Sequence, residues 1–435
     1  MQEPTPIDPA GAHRPRFVSL GAVLDRTQGV GQGFDTLRTT LSISILCWHS
    51  IVTSYGRDAE LPFWSHPLVG GVVASLLPVF FALSGFLVMG SALRTLSLRV
   101  FVMARVLRIL PALATEVTIS AVLLGGAVTT LPLRDYYTDP AFVRYFGSLT
   151  GAIQQWLPGV FADNPFENVV NSSLWTIPPE LLCYCYVASV IAAGLLGMKR
   201  LLSALIVAAA LAAIAADVAG FGTRGIGMSV RMHTLILAFA LGNLLYLWRH
   251  AVPHGRGCFL VCLVLGIGLV ARPGMAALSL PFLVYVTAYL GTLKLPRIPL
   301  LDRGDYSYGI YLYAMPVQQS FAFFFPRLRE WYWNILFALP VTVAIAMLSW
   351  TCIELQALRL RRRSSDTAEH RRNKHAPGVS PALLGLILAY ALWLYGTQYP
   401  VRFLELHPKL LPFAGACFAV TALALRRRAN RLRTA

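Results

Sequence analysis

Two polar residues in one apolar stretch, Arg38 and His49, are the strongest candidates for chemistry in this chain. Both lie in the segment 34–54, and they are eleven positions apart. In an α-helix that spacing returns to within about 20° of the same face over a rise of about 16 Å. Because a guanidinium and an imidazole are costly to place inside a bilayer, such a pair in a membrane-spanning helix predicts a functional site.

A second pair of cations, Arg105 and Arg108, lies in the segment 93–108 among apolar residues. Residues three apart share one face of a helix. Two neighbouring guanidiniums at the inner edge of a membrane suit a ligand that is rich in phosphate groups. Arginines that contact lipid headgroups show the same pattern, and the spacing does not distinguish the two.

Glu180 stands at the start of an apolar segment, directly after Trp-Thr-Ile-Pro-Pro. The predicted topology places this start and His49 in the outer half of the membrane, so the two side chains can meet. A carboxylate that contacts an imidazole fixes its tautomer and raises its basicity, as a general base requires. The alternative is that Glu180 only caps the beginning of a helix, where negative charge is favoured.

The composition predicts an all-α, polytopic membrane protein. Of the 435 residues, 56% are hydrophobic and 13% are charged, which is about half the charged fraction of soluble domains. About twelve apolar runs are long enough to cross a bilayer as helices. The net charge of +17 does not indicate nucleic acid, because Lys and Arg cluster in short loops and in the two tails. That pattern predicts that both termini are cytoplasmic.

The apolar runs and the basic loops divide the chain into four parts. A polar N-terminal tail, 1–33, is expected to be loose and precedes a core of ten spans, 34–355. A basic cytoplasmic linker, 356–380, leads to two further spans and a basic tail, 381–435. The sequence does not predict an oligomeric state.

Several motifs, in this order along the chain, resemble those of the membrane-bound acyltransferase family 3. The family's opening pattern is an arginine, ten residues and a histidine, which Arg38 and His49 match. Its Arg-x-x-Arg pattern is matched by Arg105 and Arg108. Its Trp-Thr-x-x-x-Glu segment is similar to residues 175–180.

Three further motifs extend the resemblance to about residues 34–355. FFALSGFLV (80–88) looks like the family's second-span signature, YSYGIYLYAMPV (306–317) like a Tyr-Ser-Tyr-x-x-Tyr element, and residues 350–354 like a closing Trp-x-x-x-Glu. The chain departs from the family at Ala314, where many members carry a histidine. No catalytic role is therefore expected at that position.

The resemblance implies an O-acyltransferase of the bacterial cytoplasmic membrane. Such an enzyme moves an acyl group, acetyl by default, from cytoplasmic acyl-CoA to a hydroxyl of an extracytoplasmic or lipid-linked carbohydrate. It implies that His49 acts as a general base or carries the acyl group briefly, and that Glu180 orients it. The side chains implied to hold acyl-CoA are Arg38, Arg105 and Arg108. The side chains implied to line the substrate path are Ser84, Trp175, Tyr308 and Tyr311.

Some of these residues have a structural alternative. Ser84 and Gly85 also suit the close packing of two helices, and the aromatic run 305–316 also suits a belt at the membrane interface. No metal is implied. The seven cysteines lie almost entirely in apolar runs, and their spacing indicates neither a metal site nor a disulfide framework.

The competing interpretation is a twelve-span secondary transporter or a flippase of a glycan precursor. One large transporter family carries a Gly-x-x-x-Asp-Arg-x-Gly signature in the loop between its second and third spans. The corresponding segment here, 93–108, contains neither Gly nor Asp. The longest predicted inner loop also follows the tenth span rather than the sixth. The sequence therefore favours the acyltransferase.

Overall fold

The computed structural model describes residues 17–27, 31, 33–220, 230–296, 304–359 and 381–398. These residues form helices and connecting turns, with two isolated β-bridges and no strands. The α-helices in chain order are α1 (Leu20–Arg26), α2 (Phe34–Tyr55), α3 (Leu61–Ser65), α4 (Pro67–Thr95), α5 (Leu98–Thr118), α6 (Gly125–Val128), α7 (Leu133–Thr138), α8 (Pro140–Tyr145), α9 (Ile177–Ala192), α10 (Lys199–Val218), α11 (Met232–Leu247), α12 (Arg256–Val270), α13 (Ala276–Thr292), α14 (Ser307–Phe324), α15 (Trp331–Ser349) and α16 (Pro381–Gln398). Two π-helical stretches, Ile119–Leu124 and Trp350–Glu354, continue α5 and α15.

Several of the described helices are apolar enough to cross a membrane. By length and composition, the five clear candidates are Pro67–Thr95, Leu98–Val128, Ser172–Ala192, Lys199–Val218 and Trp331–Arg359. Four shorter apolar helices are Met232–Leu247, Arg256–Val270, Ala276–Thr292 and Leu383–Gln398. These helices confirm the prediction of an all-helical, multi-pass membrane protein. The count of twelve spans stays a prediction, and its last span, 409–425, lies outside the described residues.

The segment 93–108, predicted to lie on the cytoplasmic side between two spans, is largely helical. The helix α5 begins at Leu98 and runs unbroken past both paired arginines. Leu96 ends α4 in the left-handed conformation at a φ of 49°, and the Ser97 side chain caps the first turn of α5. A capped helix start so close to the preceding helix leaves no loop. The paired arginines are therefore held on a rigid element.

The N-terminal tail, which is expected to be loose, contains a docked helix. Leu20, the first residue of α1, is fully buried. Its backbone N donates to the carbonyl of Val252 at 2.9 Å, and the backbone N of Gly21 donates to the carbonyl of Arg249 at 2.8 Å. Burial of Leu20 and Leu24 against the bundle explains why α1 attaches to the connection between α11 and α12.

The helices α4 and α11 approach closely in the core. A Cβ on Gly85 would lie 2.0 Å from the carbonyl oxygen of Phe239, and a Cβ on Gly242 would lie 2.3 Å from that of Ala82. Small residues are what allow two membrane helices to pack at this distance. Gly85 therefore serves helix packing, and its neighbour Ser84 faces the cavity described below.

The first of the two helices beyond the predicted core, α16, packs against α9. The hydroxyl of Tyr390 donates to the carbonyl of Thr150 at 2.9 Å, and Nε2 of Gln398 donates to the carbonyl of Gly151 at 3.1 Å. This added helix is therefore attached to the element that carries Glu180.

Candidate active site

A cavity of about 400 Å³ lies among α2, α4, α5, α9 and α14. Its charged lining residues are Arg38, Arg94, Arg105, Arg108, Glu180 and Asp305. The other lining residues include aromatic rings, hydroxyl groups and aliphatic side chains. Six charges in one space inside a membrane protein mark a site rather than a packing defect.

Asp305 joins two of the arginines. Its Oδ2 lies 2.6 Å from Nη1 of Arg38 and 2.8 Å from Nη2 of Arg108. The hydroxyl of Ser307 donates to its Oδ1 at 2.7 Å. Burial alone raises the pKa of Asp305, but the guanidiniums of Arg108 and Arg38 outweigh burial and hold this pKa well below its usual range. Asp305 is therefore a fixed negative charge that offsets both cations.

Sequence reasoning missed Asp305. It stands directly before the Tyr-Ser-Tyr motif, but nothing in the spacing connects it to Arg38, which is 267 positions away. Arg108 also approaches Glu354, with Nη1 and Oε2 separated by 3.9 Å. Arg38 and Arg108 are thus held mainly by protein carboxylates.

Arg105 lies in the same cavity without a carboxylate partner among the described residues. Its guanidinium carbon lies 5.8 Å from the ring centre of Phe101 and 5.6 Å from that of Tyr184. Its Nε is buried and has no hydrogen-bond acceptor in the described part of the chain. Arg94, at the exposed end of α4, also lines the cavity and pairs with no described carboxylate. Arg94 and Arg105 are thus the two lining arginines that form no ion pair with a described carboxylate.

Glu180 does not contact His49. The hydroxyl of Tyr184, one turn further along α9, donates to Oε1 of Glu180 at 2.6 Å. The carboxylate lines the cavity together with Arg108 and Arg105. No hydrogen bond or ion pair joins Glu180 to His49 within the described ranges. The predicted carboxylate–imidazole pair is therefore not formed, because the side chain turns toward the arginines.

His49 lies beyond the cavity on the same helix as Arg38. The helix α2 is unbroken between them, as the spacing predicts, but the cavity lining includes Arg38 and not His49. The Nδ1 atom of His49 is buried and has no hydrogen-bond partner in the part of the chain that the structure describes. Between the two residues Ser42 is fully buried, and its hydroxyl donates to the Arg38 carbonyl at 3.0 Å.

The residues expected to line the substrate path divide into two groups. Ser84, Tyr308 and Tyr311 line the cavity. Trp175 does not line it; this side chain packs against the hydrophobic core. The short 3-10 helix Ser172–Thr176 turns Thr176 toward the cavity instead, and the hydroxyl oxygens of Thr176 and Tyr311 lie 2.9 Å apart.

His233, near the start of α11, contacts a buried carboxylate away from the cavity. Its Nε2 lies 3.9 Å from Oδ1 of Asp217, which is buried at the end of α10. The other carboxylate oxygen of Asp217 accepts from the backbone N of Ala277 at 3.0 Å. This cluster joins the ends of three helices. Among the described residues there is no group of three His, Cys, Asp or Glu side chains that could hold a metal ion.

Comparison with known proteins places this geometry in a family. Residues 32–351 match the family model Acyl_transf_3, described as an acyltransferase domain. The "O-acetyl transferase" of Shigella phage Sf6 is 26% identical over 333 residues, which cover 75% of this chain and 95% of the relative. "Nodulation protein 10" of Rhizobium leguminosarum bv. viciae is 27% identical over 363 residues, which cover 79% and 97%. No solved structure matches the chain significantly. Because the family model covers most of the sequence, the chain belongs to acyltransferase family 3 and is a membrane O-acyltransferase.

Proposed function

We propose that this enzyme moves an acyl group from cytoplasmic acyl-CoA to a hydroxyl of an extracytoplasmic or lipid-linked carbohydrate. The observation that carries the proposal is a cavity in which Arg94 and Arg105 have no carboxylate partner among the described residues. Free guanidiniums favour a ligand with several phosphate oxygens, as a coenzyme A thioester has. The relative named as an O-acetyl transferase supports acetyl as the group transferred.

The cavity lining has a charged part and a largely apolar part, and the donor matches both. Arg94 and Arg105 bind its phosphates, while Arg38 and Arg108, already offset by Asp305, form the wall beside them. The aliphatic and aromatic part of the lining, such as Leu77, Phe80 and Leu87, suits the less polar stem of the donor. From there the thioester extends along α2, since His49 lies about 16 Å beyond Arg38 on that helix.

His49 performs the proton transfer. Its imidazole takes the proton of the acceptor hydroxyl while the hydroxyl oxygen bonds to the acyl carbon of the thioester. The carbon–sulfur bond then breaks, and the proton passes from the imidazole to the thiolate of coenzyme A. Nδ1 is suited to this step because no described group of the protein occupies it. If the acyl group instead rests briefly on the imidazole, the same atoms take part in two steps.

Glu180 acts on the donor side of the reaction. Its hydrogen bond from Tyr184 and its position beside Arg105 place the carboxylate in the cavity rather than at His49. The carboxylate limits the positive charge of the cavity and fixes the phenol against which Arg105 lies. A loss of Glu180 is therefore expected to weaken donor binding first.

The test is transfer of radiolabelled acetyl from acetyl-CoA to a surface glycan by membranes that contain the protein. We expect His49→Ala to insert normally and to lose transfer by about 100- to 10,000-fold, the usual contribution of a general base. The matched control is His233→Ala, since this imidazole lies beside Asp217, away from the cavity. Unchanged transfer by His49→Ala excludes the imidazole from the mechanism, and no transfer from acetyl-CoA by the wild type excludes this donor.

The competing interpretation, a secondary transporter or a flippase, rests on the predicted count of twelve spans alone. The match to an acyltransferase family model favours the acyltransferase.

A further inference from the structure

Two fully buried amides lie against the helix that carries His49. Nε2 of Gln318, on α14, donates to the backbone carbonyl of Leu46 at 2.9 Å. Nδ2 of Asn334, on α15, donates to Oγ1 of Thr53 at 3.2 Å and to the carbonyl of Gln318 at 3.3 Å. Leu46 lies three residues before His49 and Thr53 four residues after it. The two amides therefore neighbour each other and bracket His49 along α2.

The contacts fix which way each amide faces. A backbone carbonyl can only accept a hydrogen bond, so the amide nitrogen must face it. Oε1 of Gln318 and Oδ1 of Asn334 are then left buried, without a donor among the described residues. Nδ1 of His49 is a third buried polar atom without a hydrogen-bond partner among the described residues. A buried acceptor without a donor is costly, and each such group calls for an explanation.

The next residue along α14, Gln319, has hydrogen-bond partners for both ends of its buried amide. Its Nε2 donates to the carbonyls of Phe166 at 2.7 Å and Val169 at 2.6 Å. Its Oε1 accepts from Nδ2 of Asn164 at 3.1 Å. Both ends of the Gln319 amide thus have partners, whereas the oxygen of the adjacent Gln318 amide has none among the described residues.

The hydrogen bonds of Gln319 also hold the connection between α8 and α9 against α14. Phe166, which Gln319 anchors, packs with Val52 of α2 and Met315 of α14. Val52 of α2, just beyond His49, and the middle of α14 are thus packed against a segment of the long connection. The two amide oxygens, which have no donor among the described residues, therefore lie in a well-packed part of the fold.

We propose that Gln318 and Asn334 form the subsite that binds hydroxyl groups of the carbohydrate acceptor. The two amide oxygens are acceptors, and Nδ1 of His49 is one in the tautomer that a general base requires, so the three atoms fit a ligand that brings several hydroxyl donors. A sugar ring does so, and an anion does not. Hydroxyls bonded to the two amides place a neighbouring hydroxyl of the same ring at His49. This inference rests on the proposed function, because it assigns the acceptor of that reaction.

The test compares acceptor and donor kinetics for the full-length protein in proteoliposomes. The probes are radiolabelled acetyl-CoA and the surface polysaccharide of the source cells after mild alkaline deacylation. We expect Gln318→Met and Asn334→Leu each to raise the KM for polysaccharide at least tenfold and to change the KM for acetyl-CoA less than twofold. The control is Asn243→Leu, which removes an equally buried amide from α11, a helix packed against α4 and α13; it is expected to leave both KM values within twofold.

Equilibrium binding of radiolabelled acetyl-CoA in the absence of polysaccharide separates a loss of acceptor binding from a loss of folding. We expect both variants to bind acetyl-CoA with the wild-type affinity, because the donor cavity is intact. An unchanged KM for polysaccharide, or a change in the donor KM alone, overturns the subsite and assigns the amide oxygens to bound water. If the wild type transfers no acetyl to the polysaccharide, the proposed function fails instead, whatever the variants do.

Discussion

The two ends of α2 that carry polar residues are built in different ways. At the Arg38 end, arginines of α2 and α5 share the carboxylate of Asp305, which lies just before α14, and two neighbouring arginines form no ion pair with a described carboxylate. At the His49 end, two neutral amides lie against α2; their nitrogens are bonded, and their oxygens have no donor among the described residues. A charged site suits a ligand with phosphates, while a neutral site of acceptors suits one with hydroxyls. Under the proposed function, one helix presents a separate chemistry to each substrate, and the following predictions test this.

Loss of Arg105 is expected to have the largest effect on the charged end. Its guanidinium has no described carboxylate partner, so Arg105→Ala removes a cation that is available to the donor. A hydrogen bond to a charged group contributes about 1.5–3 kcal/mol, so the KM for acyl-CoA should rise about 10- to 150-fold. Steady-state kinetics with both substrates varied measures this change.

Arg99→Ala is the matched control for Arg105→Ala, since Arg99 lies exposed on the same helix and outside the cavity lining. We expect its donor KM to stay near the wild-type value. A rise in the acceptor KM alone for Arg105→Ala would contradict the separation of the two ends.

Removal of the Asp305 charge should affect stability more than transfer. Asp305→Asn leaves Arg38 and Arg108 without their shared carboxylate, and thermal unfolding in detergent should show a loss of about 1–3 kcal/mol after allowance for partial exposure. The pKa of this carboxyl is lowered on folding, so its contribution is present above the unfolded pKa and is lost only as the pH falls through the lower folded value. The difference between variant and wild type should therefore be constant from about pH 5 to 9.

Asp35→Asn provides the comparison for Asp305→Asn. Asp35 also pairs with Arg38, at 2.8 Å, but its side chain is 78% exposed. Solvent screens such a pair, and we expect its loss to change the unfolding temperature little. If both variants lowered the unfolding temperature equally, the buried ion pairs of Asp305 would contribute no more to stability than the exposed pair of Asp35.

Substitution of Trp175 should have the smallest effect. Because this half-buried side chain packs against the core and does not line the cavity, Trp175→Phe is expected to change either KM less than twofold. Transfer kinetics in the same membranes checks it. A large rise in one KM would return Trp175 to the substrate path, where the family pattern places it.

Part of the site could be predicted from the sequence, because the regular turn of an α-helix fixes which nearby residues share a face. The spacing of Arg38 and His49 fixes their common face whenever the segment is helical, and the segment is helical. Arg105 and Arg108 follow from the same periodicity, although the start of their helix does not. The order of the motifs identifies the family, which the family model confirms.

The partners of these residues come from helix packing. Sequence periodicity does not predict that Asp305 pairs with Arg38. It also does not predict that Glu180 faces Tyr184 and the arginines rather than His49. By itself the sequence determined a helical membrane O-acyltransferase with two polar groups on one helix. Only the tertiary structure decided which charges are offset and which amide oxygens stay open, because those depend on how side chains from different helices meet.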